Sequence, residues 1–216
     1  MSLPERYGKK IKSALGGVAV WMPGTPVPLG TIMVKGEGQF HPFDQISSFT
    51  DKMKTAPHQD KSLDLVSSGT KQRIFQANAE LPGTAQLDLA AEASVKYEFT
   101  QAFEYVLKTP TLKGSHIVNL NQLAQAVKAA DGWRHKEFYL VHEVYDAEEF
   151  SFVGTERSSS SIELAGKGSA ILGFLSAGAS AGIKSTGNAE VKLIGAGGSV
   201  AMCLVRIKKD GGTDFV

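Results

Sequence analysis

Apolar and polar side chains alternate most regularly between Leu87 and Lys108. The odd positions, Leu87, Leu89, Ala91, Ala93, Val95, Tyr97, Phe99, Gln101, Phe103, Tyr105 and Leu107, are apolar except for Gln101. The even positions are mostly polar, from Asp88 through Glu92, Ser94, Lys96, Glu98, Thr100 and Glu104 to Lys108. A helix would mix the two sets on every face, whereas an extended chain sends successive side chains to opposite sides. The period of two runs for 21 residues, Leu87–Leu107, against about 5–6 in an ordinary strand. The pattern predicts one very long strand, bent near Gln101. Two ordinary strands in the same phase, or a helix over Leu87–Ala93 followed by a strand, are also compatible with it.

Upstream, Pro4–Leu15 has helical spacing, with Tyr7, Ile11, Ala14 and Leu15 on one face and Arg6, Lys9, Lys10 and Lys12 around the rest. Proline suits a first helical turn, and Gly16-Gly17 end the helix. Val18–Met22 reads as a short buried strand, Thr31–Lys35 as another, and His41–Pro57 as a turn-rich segment without a period. Leu63–Ser68 and Gln72–Ala77 read as a hairpin across Ser68-Gly69.

Downstream, Pro110 and Gly114 end the alternating element. Asn119–Ala130 is a helix capped by Asn119 or Asn121, with Leu120, Leu123, Ala124 and Val127 on one face. Phe138–Tyr145 and Glu149–Gly154 read as two antiparallel strands turning at Asp146-Ala147, and Val200–Ile207 as a buried strand.

Between the last two elements the chain becomes rich in small residues: ten of the 23 glycines fall between Gly154 and Gly198. Ile162 and Leu164, then Ala177, Ala179, Ala181 and Ile183, then Ala189, Val191 and Leu193 occupy alternating positions. Small residues let backbones approach closely and anchor register weakly. Ile162–Leu193 is therefore a candidate mobile hairpin behind a polar hinge, Ser158–Ser161. A static, glycine-rich part of a soluble sheet has the same composition. The order of elements is a short helix, many strands, a helix, then more strands, which is an α+β fold on an antiparallel sheet.

The 216 residues suit one domain. Lys plus Arg number 23 and Asp plus Glu 22, a net charge of +1, which argues against a nucleic-acid binder dominated by phosphate contacts. A hydrophobic content of 42% excludes a disordered chain. The sole cysteine, Cys203, lies in the apolar run Val200–Val205, so no intrachain disulfide exists and the thiol reads as a small core group.

His41, His58, His116, His135 and His142 make no HxH or HExxH spacing. No phosphate loop, dinucleotide fingerprint or GxSxG elbow is present. The residues assign no catalytic group, no metal and no cofactor, and the expected class is non-enzymatic. The competing enzyme reading needs a dispersed site built on His116, His135 or His142.

The uncharged run Gly168–Ile183 is shorter than the roughly 20 apolar residues of a spanning helix, and the N-terminus lacks the apolar stretch of a signal peptide. The expected location is therefore cytoplasmic. A barrel strand needs only about 9–11 residues, and the charges Glu163, Lys167, Lys184, Glu190 and Lys192 leave segments of that order.

Several stretches resemble the gasdermins, the bacterial pore-forming members most of all. They are WMPGTPVPLGTIMVKGEG after the basic helix, EFTQAFEYVL closing the alternating run, NLNQLAQAV, YLVHEVYDAEEFSF, and IELAGKGS with GASAGIKSTGNAEVKLIGAGGSVAMCLVRIKK. Together they span most of Ala14–Lys209. The resemblance implies a twisted antiparallel sheet with a short basic N-terminal helix and at least one further helix. It implies that residues 1–216 are a single pore-forming domain. Family members are held inactive by a C-terminal segment that a protease removes. As a departure, only Lys208–Val216 follow the last expected strand, so no separate C-terminal inhibitory domain is expected here.

It also implies a protein that is cytoplasmic while soluble, then oligomerises and inserts β-hairpins into the inner or plasma membrane to cause cell death in antiviral defence. The implied partners are anionic membrane lipids, further copies of the chain in the membrane, and an activating protease or partner chain, with no nucleic acid.

Position by position, the resemblance places a first inserting region at Ala85–Leu107, with Leu87, Leu89, Ala91, Ala93, Val95, Tyr97 and Phe99. The second falls at Ile162–Leu193, with Ile171, Phe174, Ala177, Ala179, Ala181, Ile183, Val191 and Leu193. Arg6, Lys9, Lys10 and Lys12 match the helix that meets acidic headgroups. One departure is that bacterial members often carry an acylated cysteine near the N-terminus, and here none precedes Cys203. The competing non-enzymatic reading is a static α+β interaction module that binds a protein through a sheet edge or the Trp21–Pro28 loop.

Overall fold

A computed structural model describes residues 1–177 and 181–216. Along the chain run α1 (Leu3–Leu15), β1 (Val18–Ala19), β2 (Thr31–Gly36), β3 (Gln39–Gln45), β4 (Thr55–Pro57), β5 (Lys61–Val66), β6 (Thr70–Gln76) and β7 (Ala79–Leu81). Then follow β8 (Glu92–Phe99), β9 (Glu104–Ile117), α2 (Leu120–Lys128), β10 (Phe138–Thr155) and β11 (Ser160–Lys167). The last elements are α3 (Gly168–Ala177), β12 (Lys184–Gly187), β13 (Val191–Ile207) and β14 (Thr213–Phe215). The fold is α+β, and its strand ladders are antiparallel.

Two compact units share the chain. The first comprises Met1–Lys10, Lys61–Leu112 and Ala147–Gly197, the second Ile11–Asp60, Lys113–Asp146 and Gly198–Val216.

In the first unit a five-stranded sheet runs in the order β12-β11-β8-β6-β7. Strand alternation puts Ile74, Val95, Tyr97, Ile162 and Leu164 on one face, where they pack with Ile171 and Phe174 of α3. Fully burying each large apolar side chain contributes about 1.5–3 kcal/mol. Alternate positions carry Arg73, Lys96 and Glu98, with Lys96 3.0 Å and Arg73 3.6 Å from the Glu98 carboxylate. Such accessible pairs contribute at most about 1 kcal/mol each. Also in this unit, Tyr7 of α1 meets Tyr105 and Phe152 edge-on, with ring centroids 5.8 and 5.4 Å apart.

The second unit pairs β2 with β10 and β3, β13 with β1 and β14, and β4 with the end of β9. Its helix α2 buries Leu123, Ala124 and Val127 against Ile32, Phe138, Leu140, Val205 and Ile207.

Several expectations are corrected. The buried stripe of α1 is Leu3, Tyr7 and Ile11, spaced by four, while Ala14 is exposed and Leu15 half-buried. The helix starts with a capping box: the Ser2 amide donates to Glu5 Oε2 at 2.6 Å, and the Glu5 amide to Ser2 Oγ at 3.4 Å. His41–Pro57 is not all turn. It contains β3, whose side chains are mostly exposed and so show no period. β3 accommodates Pro42 at a bulge, where Ile32 faces Asp44 and Met33 faces Pro42.

Pro110 does not end β9, because it lies at a second bulge: Leu63 faces Thr109 and Lys61 faces Leu112. Asp146-Ala147 is not a turn, and β10 is continuous for 18 residues. The Asp146 carboxylate instead accepts the Ser199 hydroxyl at 2.6 Å, so its charge is satisfied within the fold. Asn119 precedes α2 but does not cap it by its side chain, which accepts the Lys54 amide and donates to the Lys52 carbonyl.

Ser68-Gly69 does not join a hairpin. β5 pairs with β9 and β6 with β8, forming one long ribbon with a bend. Val66 faces Val106 and Thr70 faces Phe99. Four steps along one strand thus match seven along the other, and the run contains three extra residues. An odd insertion swaps the faces of a strand. Two strands, β8 and β9, replace the single long one, and they are out of phase rather than in phase. At the bend Phe103 has a left-handed backbone, φ 62°. The Thr100 amide and hydroxyl both donate to the Gly69 carbonyl, and Glu104 Oε2 accepts the Gln101 amide at 3.1 Å.

Candidate membrane-active segments

The basic side of α1 is set by its buried stripe. With Leu3, Tyr7 and Ile11 inward, Lys9, Lys10 and Lys12 are exposed and Arg6 is half-buried.

The first segment expected to insert begins before β8. Leu87 packs on the core of the first unit, Leu89 is 50% exposed and Ala91 is half-buried. This stretch is held by side chain and backbone: Gln76 donates to the Asp88 carbonyl and accepts the Asp88 amide. Ala93, Val95, Tyr97 and Phe99 are buried and share one cluster.

The second segment expected to insert is not a hairpin in this structure. It is strand β11, helix α3 and the strands β12 and β13. Ala177, the first residue of the expected alternation, is instead the last residue of helix α3. Ile171 and Phe174, three apart, face the sheet together, a spacing a strand would not bring to one side. A short, small-residue helix derives its stability from such packing rather than from propensity. Ala179 lies outside the described residues. Ala181 is exposed, and Ile183 packs at the cluster's edge. Val191 and Leu193 are half-buried and outside that cluster, whereas Ile194, which breaks the alternation, touches it.

Thus Ala93, Val95, Tyr97, Phe99, Ile171 and Phe174 are brought together from both segments. The segments are also stitched by backbone: the Gly168 amide donates to the Ala91 carbonyl at 2.8 Å and the Ser169 amide to the Leu89 carbonyl at 3.0 Å. Gly168 permits this approach, since a Cβ there would collide with the Asp88 carbonyl.

One charged residue on β9 departs from the sequence pattern. Lys108 belongs to the polar set yet is buried, 2.5 Å from Asp64 Oδ2. No sequence signal marks it, because the face swap comes from the bend.

In the second unit His58 stacks on His116 at 4.1 Å and lies 3.0 Å from Glu143 Oε1. Burial, reinforced by the nearby negative Glu143, pushes the Cys203 thiol up to about 11, so it is no nucleophile at neutral pH. Among the described residues no group of three or more His, Cys, Asp or Glu side chains is placed to hold a metal ion, and no helix is long and apolar enough to cross a membrane.

No family model and no curated protein matches the sequence. Among solved structures, the chain is similar to a bacterial gasdermin from Bradyrhizobium tropiciagri, at 14% identity and a TM-score of 0.40, covering 97% of this chain and 90% of that one. It is also similar to the gasdermin A3 membrane pore, at 9% identity and a TM-score of 0.36, covering 100% and 94%.

Proposed function

We propose that this protein is a non-enzymatic pore-former. Residues 85–107 and 162–193 leave the folded form as β-hairpins, and many copies assemble in a membrane to breach it and cause cell death in defence. Arg6, Lys9, Lys10 and Lys12 meet anionic lipid headgroups, each contributing about 1 kcal/mol near the surface. The chain waits in the cytoplasm and acts at the inner or plasma membrane after release by a protease or partner chain.

The observation that carries this reading is the two-sided character of the five-stranded sheet. Its apolar face, with Val95, Tyr97, Ile162 and Leu164, packs with Ile171 and Phe174 of α3 and with Val106 and Val153, and its alternate positions include the charged Arg73, Lys96 and Glu98. A membrane barrel wall needs that division, one face to lipid and one to water. Removing α3 would take away Ile171 and Phe174 and so uncover part of the apolar face.

Dye release from vesicles containing anionic lipid tests the proposal. The wild-type protein, alone or after limited proteolysis, is expected to release dye. Ala181 is exposed in the folded form, so Ala181→Asp is expected to leave the melting temperature unchanged and abolish release. Full release by Ala181→Asp would remove residues 162–193 from the inserting set. The absence of release and of vesicle binding by any form would favour the interaction module instead.

A further inference from the structure

We infer that Lys108 is a clamp that makes the two segments open together, an inference that rests on the pore-forming reading. Lys108 stands on β9, one residue beyond the first segment. Its side chain is 5% exposed, whereas that of Asp64, directly across the ladder, is 56% exposed. The Lys108 ammonium lies 2.5 Å from Asp64 Oδ2, donates to the Leu175 carbonyl at 3.4 Å, and sits 5.7 Å from the centre of the Phe174 ring.

Each contact has a separate physical basis. Leu175 supplies one of the last four carbonyls of α3, which lack partners within the helix. A cation at that end also meets the negative pole of the helix. The Phe174 ring presents its electron-rich face to the charge. One ammonium therefore ties the C-terminal turn of α3, in the second segment, to a strand that continues from the first.

The burial itself is informative, because a charged lysine withdrawn from water is costly unless paired. The alternating pattern assigns Lys108 to the face of Lys96 and Glu98. It points toward α3 only because the three-residue insertion at the bend swaps faces. Straightening the bend returns Lys108 to the polar face and takes it away from α3. Conversely, α3 cannot leave the sheet without stripping Lys108 of Leu175 and Phe174. The bend of the first segment and the helix of the second are thus two ends of one contact. The same residue that locks the folded form becomes a water-facing charge on an extended amphipathic strand.

Hydrogen–deuterium exchange of the full chain, without lipid, reads both ends. The reporters are the α3 amides and the amides of Thr100 and Gln101 at the bend. Lys108→Met removes the ammonium and keeps the length of the stem. Asp64→Asn removes the counter-charge at a half-exposed site and keeps the measurement available should Lys108→Met fail to fold. In both variants α3 and the bend are expected to exchange about tenfold faster together, while Lys108→Arg stays near wild type.

Wild-type exchange at α3 in both variants, or acceleration of only one end, would overturn the clamp. Dye release from anionic vesicles separates the two readings. Joint acceleration with no release by any form sustains the clamp and removes the pore. Release by the wild type with unchanged exchange in the variants sustains the pore and removes the clamp.

Discussion

Along β8, inward and accessible side chains largely take turns, whereas none of the first six side chains of β9 is accessible. The two strands come from one alternating run, so propensity does not distinguish them. The covering does. β8 has α3 over its apolar side, through Phe174 against Tyr97, and water over the other. β9 is covered twice within the first unit, by Tyr7 and Phe152 over Tyr105, and by the α3 cluster over Val106 and Lys108. A strand with one cover keeps a wet face that a lumen could use. A strand with two covers is a core element whatever its sequence period.

The largest expected effect tests that distinction by residue parity. Tyr97→Ala and Tyr105→Ala should each lose about 3–5 kcal/mol, as large aromatic deletions in cores do. Their even-numbered neighbours should part company: Val106→Ala should lose about 1–3 kcal/mol, and Lys96→Ala should stay within about 0.5 kcal/mol of wild type. Urea denaturation midpoints measure all four, and equal tolerance at Lys96 and Val106 would erase the difference between the strands.

Next in size is the joint between the approach to β8 and the start of α3. Gly168→Ala drives a Cβ into the Asp88 carbonyl and is expected to cost about 1–3 kcal/mol, as overpacking does. Faster exchange of the Ser169 amide would accompany it. An unchanged midpoint would mean that the two segments are not held there.

A smaller effect sharpens the account of β9. Ser2→Ala removes half of the capping box that starts α1, at about 1 kcal/mol. Because α1 supplies Tyr7 as a cover, the Tyr105 side of β9 should loosen and the α3 side of β8 should not. Exchange of the β9 and β8 amides reads the two separately.

The smallest is a titration on β10. Burial, aided by the neighbouring His116 and opposed by Glu143, holds the His142 pKa below its ordinary value of 6.5. The unfolded chain therefore takes up this proton first, and stability declines as pH falls below 6.5, by less than about 1.4 kcal/mol per pH unit for one proton. His142→Gln should flatten that part of a denaturation series between pH 6.5 and 5. An unchanged slope would assign the decline to other groups.

Much of this architecture was legible from local pattern. Tyr7 and Ile11 on α1, Leu123 and Val127 on α2, and Val95 and Tyr97 on β8 all followed from a period of 3.6 or 2. The misread elements share one cause. No helix is predicted within Ile162–Leu193 because glycine, alanine and serine carry little periodic signal, and it is Ile171 and Phe174 against the sheet that reveal α3. Asp146 reads as a turn residue because its partner, Ser199, lies 53 residues away. Pro110 reads as a strand end because the bulge at its position is defined only by the partner strand.

The sequence by itself determined which short segments could be amphipathic, because side-chain direction along a helix or strand follows from backbone geometry alone. The tertiary structure alone decided which amphipathic face was covered, how often, and in what phase. Three extra residues between Phe99 and Val106 count only relative to a partner strand, and that partner is set by ladder pairing across the chain. Lys108 shows the consequence: a polar position by its neighbours in sequence, and the buried counter-charge of Asp64 by its neighbours in space.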